Sequence, residues 1–390
     1  MKKINVLEII GSLHVGGAEK SLLTFLKNID RTRFAPVIVT MFRQAENGFF
    51  AKNFEQLGFP IYHLELSSWR DFKTLRELRK IIRRHHIHIA HSHVGSLEWF
   101  GSLFAFLNGV RIRLYTKHNH RIKHGLGFTL QRVFLNHLIT QKILSISQFV
   151  TEHLVSSEYA PRRKIELVFN PIEISPIQPE ISRKSLRAKF GLPENKYVIG
   201  NTSRYEILKG FDILYSTCQQ LIKQGFEIHI AVIGSDHISE EHQKLQKLYG
   251  VEKSATIVPF QENPTDLYRC FDCFFFTSRH TEGFGMVLLE AMALELPVVG
   301  LNVGVIAEVV HHYKTGLLPY PVKWQEEYHG DAESAAQALA DAIIYLIANP
   351  NAALALGKRA HVFAKQFDIT NFTRRVETIY SDLYHHHFER

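Results

Sequence analysis

Short apolar runs alternate with helical patterns through the first half of the chain. Strand-length apolar runs occupy residues 5–10, 36–41, 87–91, 112–116 and 143–146, and helical spacing of apolar residues occupies 19–29, 72–84, 97–107, 128–139 and 149–155. Strands that alternate with helices are typical of βαβ units around a mostly parallel sheet. The first half is therefore predicted to be an α/β domain.

A proline-rich stretch at residues 170–179 interrupts this rhythm and predicts an interdomain linker. Strand-length runs resume at 197–200, 228–233, 255–258, 273–276 and 297–300, and three helical patterns close the chain at 333–348, 352–366 and 371–384. This pattern predicts a second doubly wound sheet. We expect a first domain at residues 1–173, a second at 174–370, and a final helix at 371–390 that packs back on the first domain.

Length and composition agree with two globular domains. The chain has 390 residues, 45% hydrophobic and 22% charged, as in ordinary packed proteins. Three cysteines provide no disulfide framework and favour a reducing compartment; Cys270 and Cys273 are expected simply to pack. Glu8 interrupts the N-terminal apolar run, so a first strand is expected there and not a signal peptide, and no stretch reaches the length of a membrane-spanning helix. A cytoplasmic protein is expected.

Basic residues are concentrated in the first domain. Residues 1–173 carry 25 Lys and Arg against 13 Asp and Glu, or +12, whereas residues 174–390 carry 21 against 25, or −4. The asymmetry predicts an acidic partner for the first half, with an anionic membrane, nucleic acid and a phosphorylated substrate all eligible. The basic helical pattern at 70–84 fits either peripheral contact with lipid head groups or an ordinary solvated face. No nucleic-acid binding is expected, because the aromatic residues there form no recognised stacking platform.

The segment 282–290 carries the most specific chemistry. Two carboxylates, Glu282 and Glu290, bracket a predicted helix start that contains Gly283 and Gly285. Glycines let the backbone approach a ligand closely, the helix N-terminus offers amide donors to an anion, and carboxylates accept hydrogen bonds from hydroxyls. Together these groups suit a nucleotide sugar.

A basic loop follows the first strand of the second domain. Arg204 and Lys209 lie between that strand and the next predicted helix, where they can clamp a diphosphate. An ordinary solvated basic pair would look the same in isolation. The combination with the acid pair and the two glycines favours the functional interpretation.

These residues, in this order, resemble the retaining glycosyltransferases of family 4, also called glycosyltransferase group 1. The resemblance includes the later segments 296–299 and 304–310 and extends more loosely over the first domain through residues 16–19, His118, 145–147 and 170–173. One departure is Glu295, where the family usually has glycine. The resemblance implies the GT-B fold, in which two Rossmann-like domains face each other across a cleft.

The resemblance also implies roles for individual residues. Arg204 and Lys209 would hold the donor diphosphate, Glu290 the ribose, and Glu282 hydroxyls of the sugar, while His118 would lie beside the transferred sugar. Backbone amides of Phe284, Gly285, Met286 and Val287 would lie near the donor, and Gly16 and Gly17 would let the first loop approach the donor phosphate or the acceptor. The catalytic set is then Glu282, His118, Arg204 and Lys209.

The implied reaction transfers a sugar from a nucleoside-diphosphate-sugar to a glycan or lipid-linked acceptor, in the synthesis of cell-surface polysaccharide or lipopolysaccharide. A UDP-sugar is favoured as the donor, and GDP-mannose comes next. Neither a cofactor nor a metal ion is expected. His91 and His93, with His118, His120 and His124 further on, make a metal site conceivable, but we expect packing or substrate contacts for most of them. A nucleotide-sugar epimerase and a non-catalytic nucleotide- or carbohydrate-binding protein stay open as alternatives.

Overall fold

The computed structural model describes residues 3–42, 47–66, 71–93, 95, 97–118, 125–173, 181–234, 240–261, 263–319 and 328–389. The chain divides into two compact units. The first comprises Met1–Ile172 together with Phe367–Arg390, and the second comprises Glu173–Gln366. The chain leaves the first unit one residue before the predicted boundary, and it returns four residues before the predicted one.

The first unit is built around a seven-stranded parallel sheet. Its strands are β1 (Ile4–Ile10), β2 (Phe34–Thr40), β3 (Ile61–His63), β4 (Ile89–His93), β5 (Ile112–Lys117), β6 (Lys142–Ser145) and β7 (Ile165–Leu167), in the order β3-β2-β1-β4-β5-β6-β7. Its helices are α1 (Gly17–Asn28), α2 (Ala51–Gln56), α3 (Phe72–Arg84), α4 (Leu97–Leu107), α5 (Leu126–Phe134) and α6 (Gln148–Ser156). A π-helical turn, Leu135–Ile139, prolongs α5.

One face of this sheet packs on α3 and α4 through a shared apolar core. The core joins Leu7 and Ile9 of β1 to Leu78 of α3 and Phe104 of α4. In α3 the buried residues are Thr74, Leu78, Ile81 and Ile82, so most of the apolar side packs inward and the exposed face carries the cations, as the sequence pattern indicated. Phe72, which the same pattern placed in the apolar stripe, is instead 78% exposed. Arg70 lies outside the described residues.

The chain returns to the first unit at residue 367 by way of its final helix. The backbone amide of Ile172 donates to the carbonyl of Phe367, and that of Ile369 donates to the carbonyl of Ile172. The final helix, Ile369–Phe388, packs on α1, and Tyr380 makes edge contacts with Phe25 and Phe34. The last helix therefore belongs to the first unit.

The second unit repeats the doubly wound plan with six parallel strands. They are β8 (Tyr197–Thr202), β9 (Ile228–Gly234), β10 (Ala255–Pro259), β11 (Cys273–Phe276), β12 (Val298–Gly300) and β13 (Gly316–Leu317), in the order β10-β9-β8-β11-β12-β13. Its helices are α7 (Arg183–Lys189), α8 (Phe211–Lys223), α9 (Glu240–Leu248), α10 (Thr265–Tyr268), α11 (Met286–Ala293), α12 (Ile306–Val309), α13 (Ala332–Ala348) and α14 (Pro350–Ala364), and the final helix of the first unit is α15.

Two further sequence expectations can be compared with this fold. Cys270 and Cys273 are buried and unpaired, and their surroundings raise the pKa of the Cys270 thiol to about 11, mainly through burial. Within the described part of the chain, no single helix is long and apolar enough to cross a membrane; α13 with the helical segment that follows it passes on length and composition only, bent by 104°. The predicted linker residues 174–179 lie outside the described residues.

Candidate active site

The second sheet reverses its strand order between β8 and β11, and the basic loop and the acidic segment both follow these strands. In open α/β sheets, ligands bind beyond the carboxyl ends of the strands at such a reversal. The loop after β8 carries Arg204 and Lys209, and the loop after β11 carries Glu282. The sheet order therefore places two of the predicted site segments next to each other.

Lys209 and Glu282 form an ion pair at this position. The Lys209 Nζ lies 2.5 Å from Glu282 Oε1, and both side chains are about three-quarters buried, with exposed fractions of 21% and 25%. The Ser278 hydroxyl donates to the same carboxylate oxygen at 3.2 Å and is also 3.0 Å from the carbonyl of His280. A partly exposed ammonium and carboxylate thus lie together at the edge of the sheet where ligands bind in open α/β sheets.

Close backbone contact fixes the two loops to each other. Gly210 has φ +67°, a left-handed conformation, and a Cβ there would lie 2.0 Å from the carbonyl oxygen of Thr277. The Thr277 hydroxyl donates to the carbonyl of Lys209 at 3.1 Å, and the Arg279 amide donates to that of Leu208 at 2.8 Å. Only glycine fits this crossing, and it sets the position of Lys209.

Arg279 secures the second loop from its other side. Its guanidinium contacts both carboxylate oxygens of Asp212, in the first turn of α8, at 2.5 and 3.3 Å. It also donates to the carbonyl of Gly330 at 2.7 Å. A planar guanidinium held on two sides restricts its loop more than a lysine would.

The acidic segment ends in the N-terminus of α11. Gly285 is the N-cap with φ +80°, and Met286 and Val287 form the first turn, half-buried like Gly283, while Phe284 is buried. Helix N-termini leave amide donors without intrahelical partners, so this end suits an anion.

Glu290 is the fifth residue of α11, a little over one turn inside the helix. The Tyr268 hydroxyl donates to Glu290 Oε2 at 3.3 Å. Burial, and then the charge of Glu290, raise the pKa of Tyr268, so the phenol stays protonated and can donate.

Arg204 does not contact the Lys209–Glu282 ion pair. Its guanidinium is exposed and lies 3.1 Å from Glu206 Oε1 within the same loop. The structure therefore brings Lys209 and Glu282 into contact and gives Arg204 a different partner.

In the first unit, the sheet reverses between β1 and β4, and the glycine loop follows β1. Gly16 is the N-cap of α1 in an extended conformation, with φ −168°, and Gly17 is the first residue of the helix. A Cβ at Gly16 would lie 2.1 Å from Glu19 Oε2, the end of a flexible side chain. The loop thus presents a helix N-terminus at the reversal point, as the second unit does.

A buried polar network lies under this reversal point. Glu8 of β1 is fully buried, and its carboxylate accepts from the Tyr380 hydroxyl at 2.9 Å and lies 2.9 Å from His93 Nε2. His91 Nδ1 lies 2.6 Å from the Tyr380 oxygen, and its Nε2 lies 2.7 Å from the Thr116 hydroxyl. Because the Tyr380 hydroxyl donates its hydrogen bond to Glu8, Nδ1 of His91 must carry the ring proton, and Nε2 must accept a hydrogen bond from the Thr116 hydroxyl. Burial holds the pKa of His91 well below its usual value, which agrees with a neutral ring.

His118 follows β5, two residues after Thr116 and next to this network. Its ring lies 5.9 Å from that of His93, and its buried Nε2 has no hydrogen-bond partner among the described residues. Burial, and then the neighbouring His93, lower the pKa of His118 to about 3, so the ring is neutral at physiological pH. A neutral imidazole with a free nitrogen can donate to or accept from a hydroxyl.

The strand end before His118 is held by buried ion pairs. Lys117 Nζ lies 3.0 Å from Glu98 Oε2 and 2.7 Å from Glu158 Oε1, and Arg132 Nη1 lies 2.9 Å from Glu98 Oε2. Although burial raises the pKa of Glu158, hydrogen bonding with His153 and the charges of Lys117 and Arg132 bring it to about 2. The network joins β5 to α4, α5 and the segment after α6.

Glu8, His91 and His93 also have the ligand types of a metal site, and their ligand atoms all lie within 4.8 Å of one another. Both nitrogens of His91, however, already lie at hydrogen-bond distance from hydroxyl groups. The geometry present is that of a hydrogen-bond network. His120 and His124 lie outside the described residues.

Several residues of these sites did not emerge from the sequence. Ser278 and Arg279 stand directly after an apolar strand, so the rule on strand ends could have pointed to them. Glu8 is a carboxylate inside an otherwise apolar strand, a signal of a buried polar partner that we used only against a signal peptide. Tyr380 gave no local signal.

Comparison with protein families gives two adjoining matches. Residues 182–363 match the family described as glycosyl transferases group 1, and residues 15–175 match glycosyltransferase family 4.

Individual relatives agree with these matches. The chain is 25% identical over 264 residues to the capsular polysaccharide biosynthesis glycosyltransferase CapM of Staphylococcus aureus, covering 65% of this chain and 69% of that protein. It shares the fold of HepE from Anabaena, crystallised in complex with UDP-glucose, with a TM-score of 0.81, 20% identity and coverage of 97% and 100%. A glycosyltransferase from Rickettsia africae has a TM-score of 0.82, 18% identity and coverage of 98% and 99%. With its two Rossmann-like units in the GT-B class, the chain belongs to the family 4, group 1 glycosyltransferases.

Proposed function

We propose that this glycosyltransferase moves a sugar from a nucleoside-diphosphate-sugar to a hydroxyl of its acceptor, with retention of the anomeric configuration. The observation that carries the proposal is the contact of Lys209 with Glu282 at the reversal point of the second sheet, in the loop that leads into the N-terminus of α11. An ammonium, a carboxylate and free helix amides at one sheet edge match a diphosphate joined to a sugar.

A UDP-sugar is the favoured donor, and a glycan or lipid-linked precursor of a cell-surface polysaccharide is the favoured acceptor. The complex of HepE with UDP-glucose supports the first choice. The role of CapM in capsular polysaccharide biosynthesis supports the second.

In the proposed reaction, Lys209 offsets the charge that develops on the departing diphosphate, and the positive end of α11 adds to this effect. Glu282 holds the ammonium in place before the donor arrives, and Ser278 holds Glu282, so little reorganisation is needed. Glu290 accepts hydrogen bonds from ribose hydroxyls. We assign no covalent nucleophile and infer a front-face route without a metal ion; EDTA is expected to leave turnover unchanged.

The remaining candidate residues have supporting roles in this proposal. His118, neutral and with no partner for Nε2 among the described residues, contacts a hydroxyl of the transferred sugar. Gly16 and Gly17 admit the acceptor or the donor phosphate, and Arg204 exchanges Glu206 for the diphosphate when the donor binds.

Substitution of Lys209 tests the proposal. With UDP released from UDP-glucose as the readout, Lys209→Ala is expected to lower kcat/KM by roughly 100-fold, the usual cost of losing one group that stabilises developing charge. Lys184→Ala is the matched control, because Lys184 is an exposed lysine of the same unit paired with Glu194. Unchanged turnover in Lys209→Ala would remove Lys209 from the site.

The alternatives are distinguished by the products. A panel of UDP-, GDP- and ADP-sugars, each incubated with and without acceptor, reports release of the diphosphate and any new sugar isomer. A new isomer without acceptor indicates an epimerase, and tight donor binding without diphosphate release under either condition indicates a non-catalytic binding protein.

A further inference from the structure

The outer faces of α4 and α5 in the first unit carry exposed apolar residues at helical spacing. On α5 and the π-helical turn, Leu126, Leu130, Phe134 and Leu138 follow one another at intervals of four and are 41% to 76% exposed. Residues four apart lie above one another on one helix face. They form a stripe about 20 Å long.

A second set of apolar residues lies beside this stripe on α4. Phe106 and Leu107 are exposed there, and Leu103 and Trp99, one and two turns earlier, are half-buried. The ring of Trp99 lies 6.1 Å from that of Phe134, which joins the two helices. We call these eight residues the α4–α5 patch. Patches of this extent on a globular unit mark interaction sites.

The charge around the patch is of one sign. Residues 99–151 contain seven Lys and Arg and not a single Asp or Glu. Of these cations Arg113, Lys117 and Arg132 are buried, and Lys142 is paired with Glu166, so they add no free surface charge. Of the flanking acids, Glu98 is buried in the ion-pair network and Glu152 is paired with Arg162. Exposed Arg111 precedes β5.

More cations are fixed at the end of the stripe. Lys164 Nζ donates to the carbonyls of Asn136, His137 and Thr140 at 3.0, 2.8 and 2.6 Å. These bonds attach the segment Arg162–Lys164 to the turn that carries Leu138, and Arg163 in that segment is exposed.

We propose that the α4–α5 patch docks on the surface of an anionic lipid bilayer. A helix that lies in the interface buries its apolar face among acyl chains and keeps cations at the level of the head groups, which is the arrangement found here. A second copy of the chain fits less well, because a symmetric dimer would bring the arginines of both copies together. The inference rests on the proposed lipid-linked acceptor for its purpose, since docking would bring the enzyme to such a substrate.

The test uses the full chain, without donor or acceptor, and phosphatidylcholine vesicles with and without phosphatidylglycerol. Wild type is expected to sediment with the anionic vesicles, and the double variant Leu130→Glu/Leu138→Glu is expected to lower the bound fraction by roughly tenfold, since it removes apolar area and adds like charge. The matched control is Leu354→Glu/Val362→Glu, two exposed apolar residues of α14 in the second unit, which should bind like wild type.

Two further measurements test whether lipid contacts the α4–α5 patch and whether α3 is the binding surface instead. In a variant whose sole tryptophan is Trp99, brominated lipid should quench the fluorescence. Arg79→Glu/Arg83→Glu on α3 should reduce binding much less than the patch variant. The proposal would be overturned if the patch variant bound anionic vesicles as well as wild type does, or if brominated lipid did not quench Trp99. It would also be overturned if wild type formed a dimer that the patch variant cannot form and neither protein bound vesicles.

Folding and the proposed function are checked separately. The patch variant should keep the thermal midpoint and the UDP affinity of wild type, because the candidate donor site lies in the second unit. If wild type did not bind UDP, the proposed donor would be refuted, but the vesicle result would be unaffected.

Discussion

At the scale of single residues, Glu8 is a charged group in a fully buried position of the first unit. Its carboxylate is fully buried and accepts hydrogen bonds from the Tyr380 hydroxyl and from His93, whose Nε2 must therefore carry the ring proton. A buried carboxylate is tolerated only when such donors replace water. Glu8 thereby decides which nitrogen of His93 carries the proton, one ring away from His118.

Glu8→Gln is expected to lower the free energy of unfolding by about 1–3 kcal/mol, because an amide cannot accept from both donors with its single oxygen. One of the two donors, the Tyr380 hydroxyl or His93 Nε2, then faces the amide NH2 group of the new glutamine in place of an acceptor. If that donor is His93, its ring proton can move from Nε2 to Nδ1. Urea unfolding measures the first effect, and nitrogen-15 NMR of the histidine rings measures the second.

Glu55→Gln is the control for this substitution, since Glu55 is exposed in the same unit and should change neither quantity. An unaltered His93 spectrum together with wild-type stability would show that Glu8 does not control this network.

At the scale of elements, the loop after β8 and the loop after β11 are held together by close backbone contact as well as by side chains. Gly210→Ala is expected to lower the free energy of unfolding by about 3 kcal/mol: about 1 for the left-handed conformation and about 2 for displacing the Thr277 carbonyl, 2.0 Å from the new Cβ. Urea unfolding with probes in both units checks this value.

Gly250→Ala separates the two contributions. Gly250 has φ +64°, nearly the same as Gly210, but no atom lies within 4 Å of its Cβ position. It should cost only the conformational part, about 1 kcal/mol. Equal costs at the two glycines would show that the loops do not meet as described.

Most elements could be predicted from the sequence because their signals are local. The periods of α3, α4 and β11 gave their bounds without error, and the strand alternation gave both doubly wound sheets. Local departures were harder: the π-helical turn continues the spacing of α5, and Glu295 adopts φ +61° where the family usually has glycine. A left-handed glutamate has no distinguishing pattern.

The contacts of the candidate site were less predictable because they join distant parts of the chain. The sequence placed Lys209 and Glu282 in two loops, but their contact follows from the strand order, which periodicity does not specify. Tyr380 reaches Glu8 across 372 positions. The contact between Tyr380 and Glu8 forms only because α15 returns to the first unit, and no short segment of sequence predicts that return.

At the scale of the whole molecule, the two units divide the chemistry. The second contains the Lys209–Glu282 pair and the N-terminus of α11, whereas the first contains His118 with the buried network around Glu8 and the α4–α5 patch. The net charges of the two halves of the sequence, +12 and −4, follow the same division.

Histidines in both units share one property that makes the whole protein sensitive to acid. Burial lowers the pKa of His91 and His118 in the first unit, the latter to about 3, and lowers the pKa of His229 and His242 in the second to about 4. The unfolded chain, with histidine pKa values near 6.5, therefore binds more protons than the folded chain at mildly acid pH. Stability rises with pH wherever the unfolded state binds more protons.

We expect the free energy of unfolding to be constant above about pH 7 and to fall as the pH drops from about 6.5 toward 4, with each such histidine adding up to about 1.4 kcal/mol per pH unit. Urea unfolding between pH 8 and pH 5 measures the slope. His229→Gln can keep a hydrogen bond to Thr256, 2.8 Å from Nε2, without gaining a proton, so it should reduce the slope of the second unit. A stability that does not change over this range would mean that these rings are protonated in the folded protein.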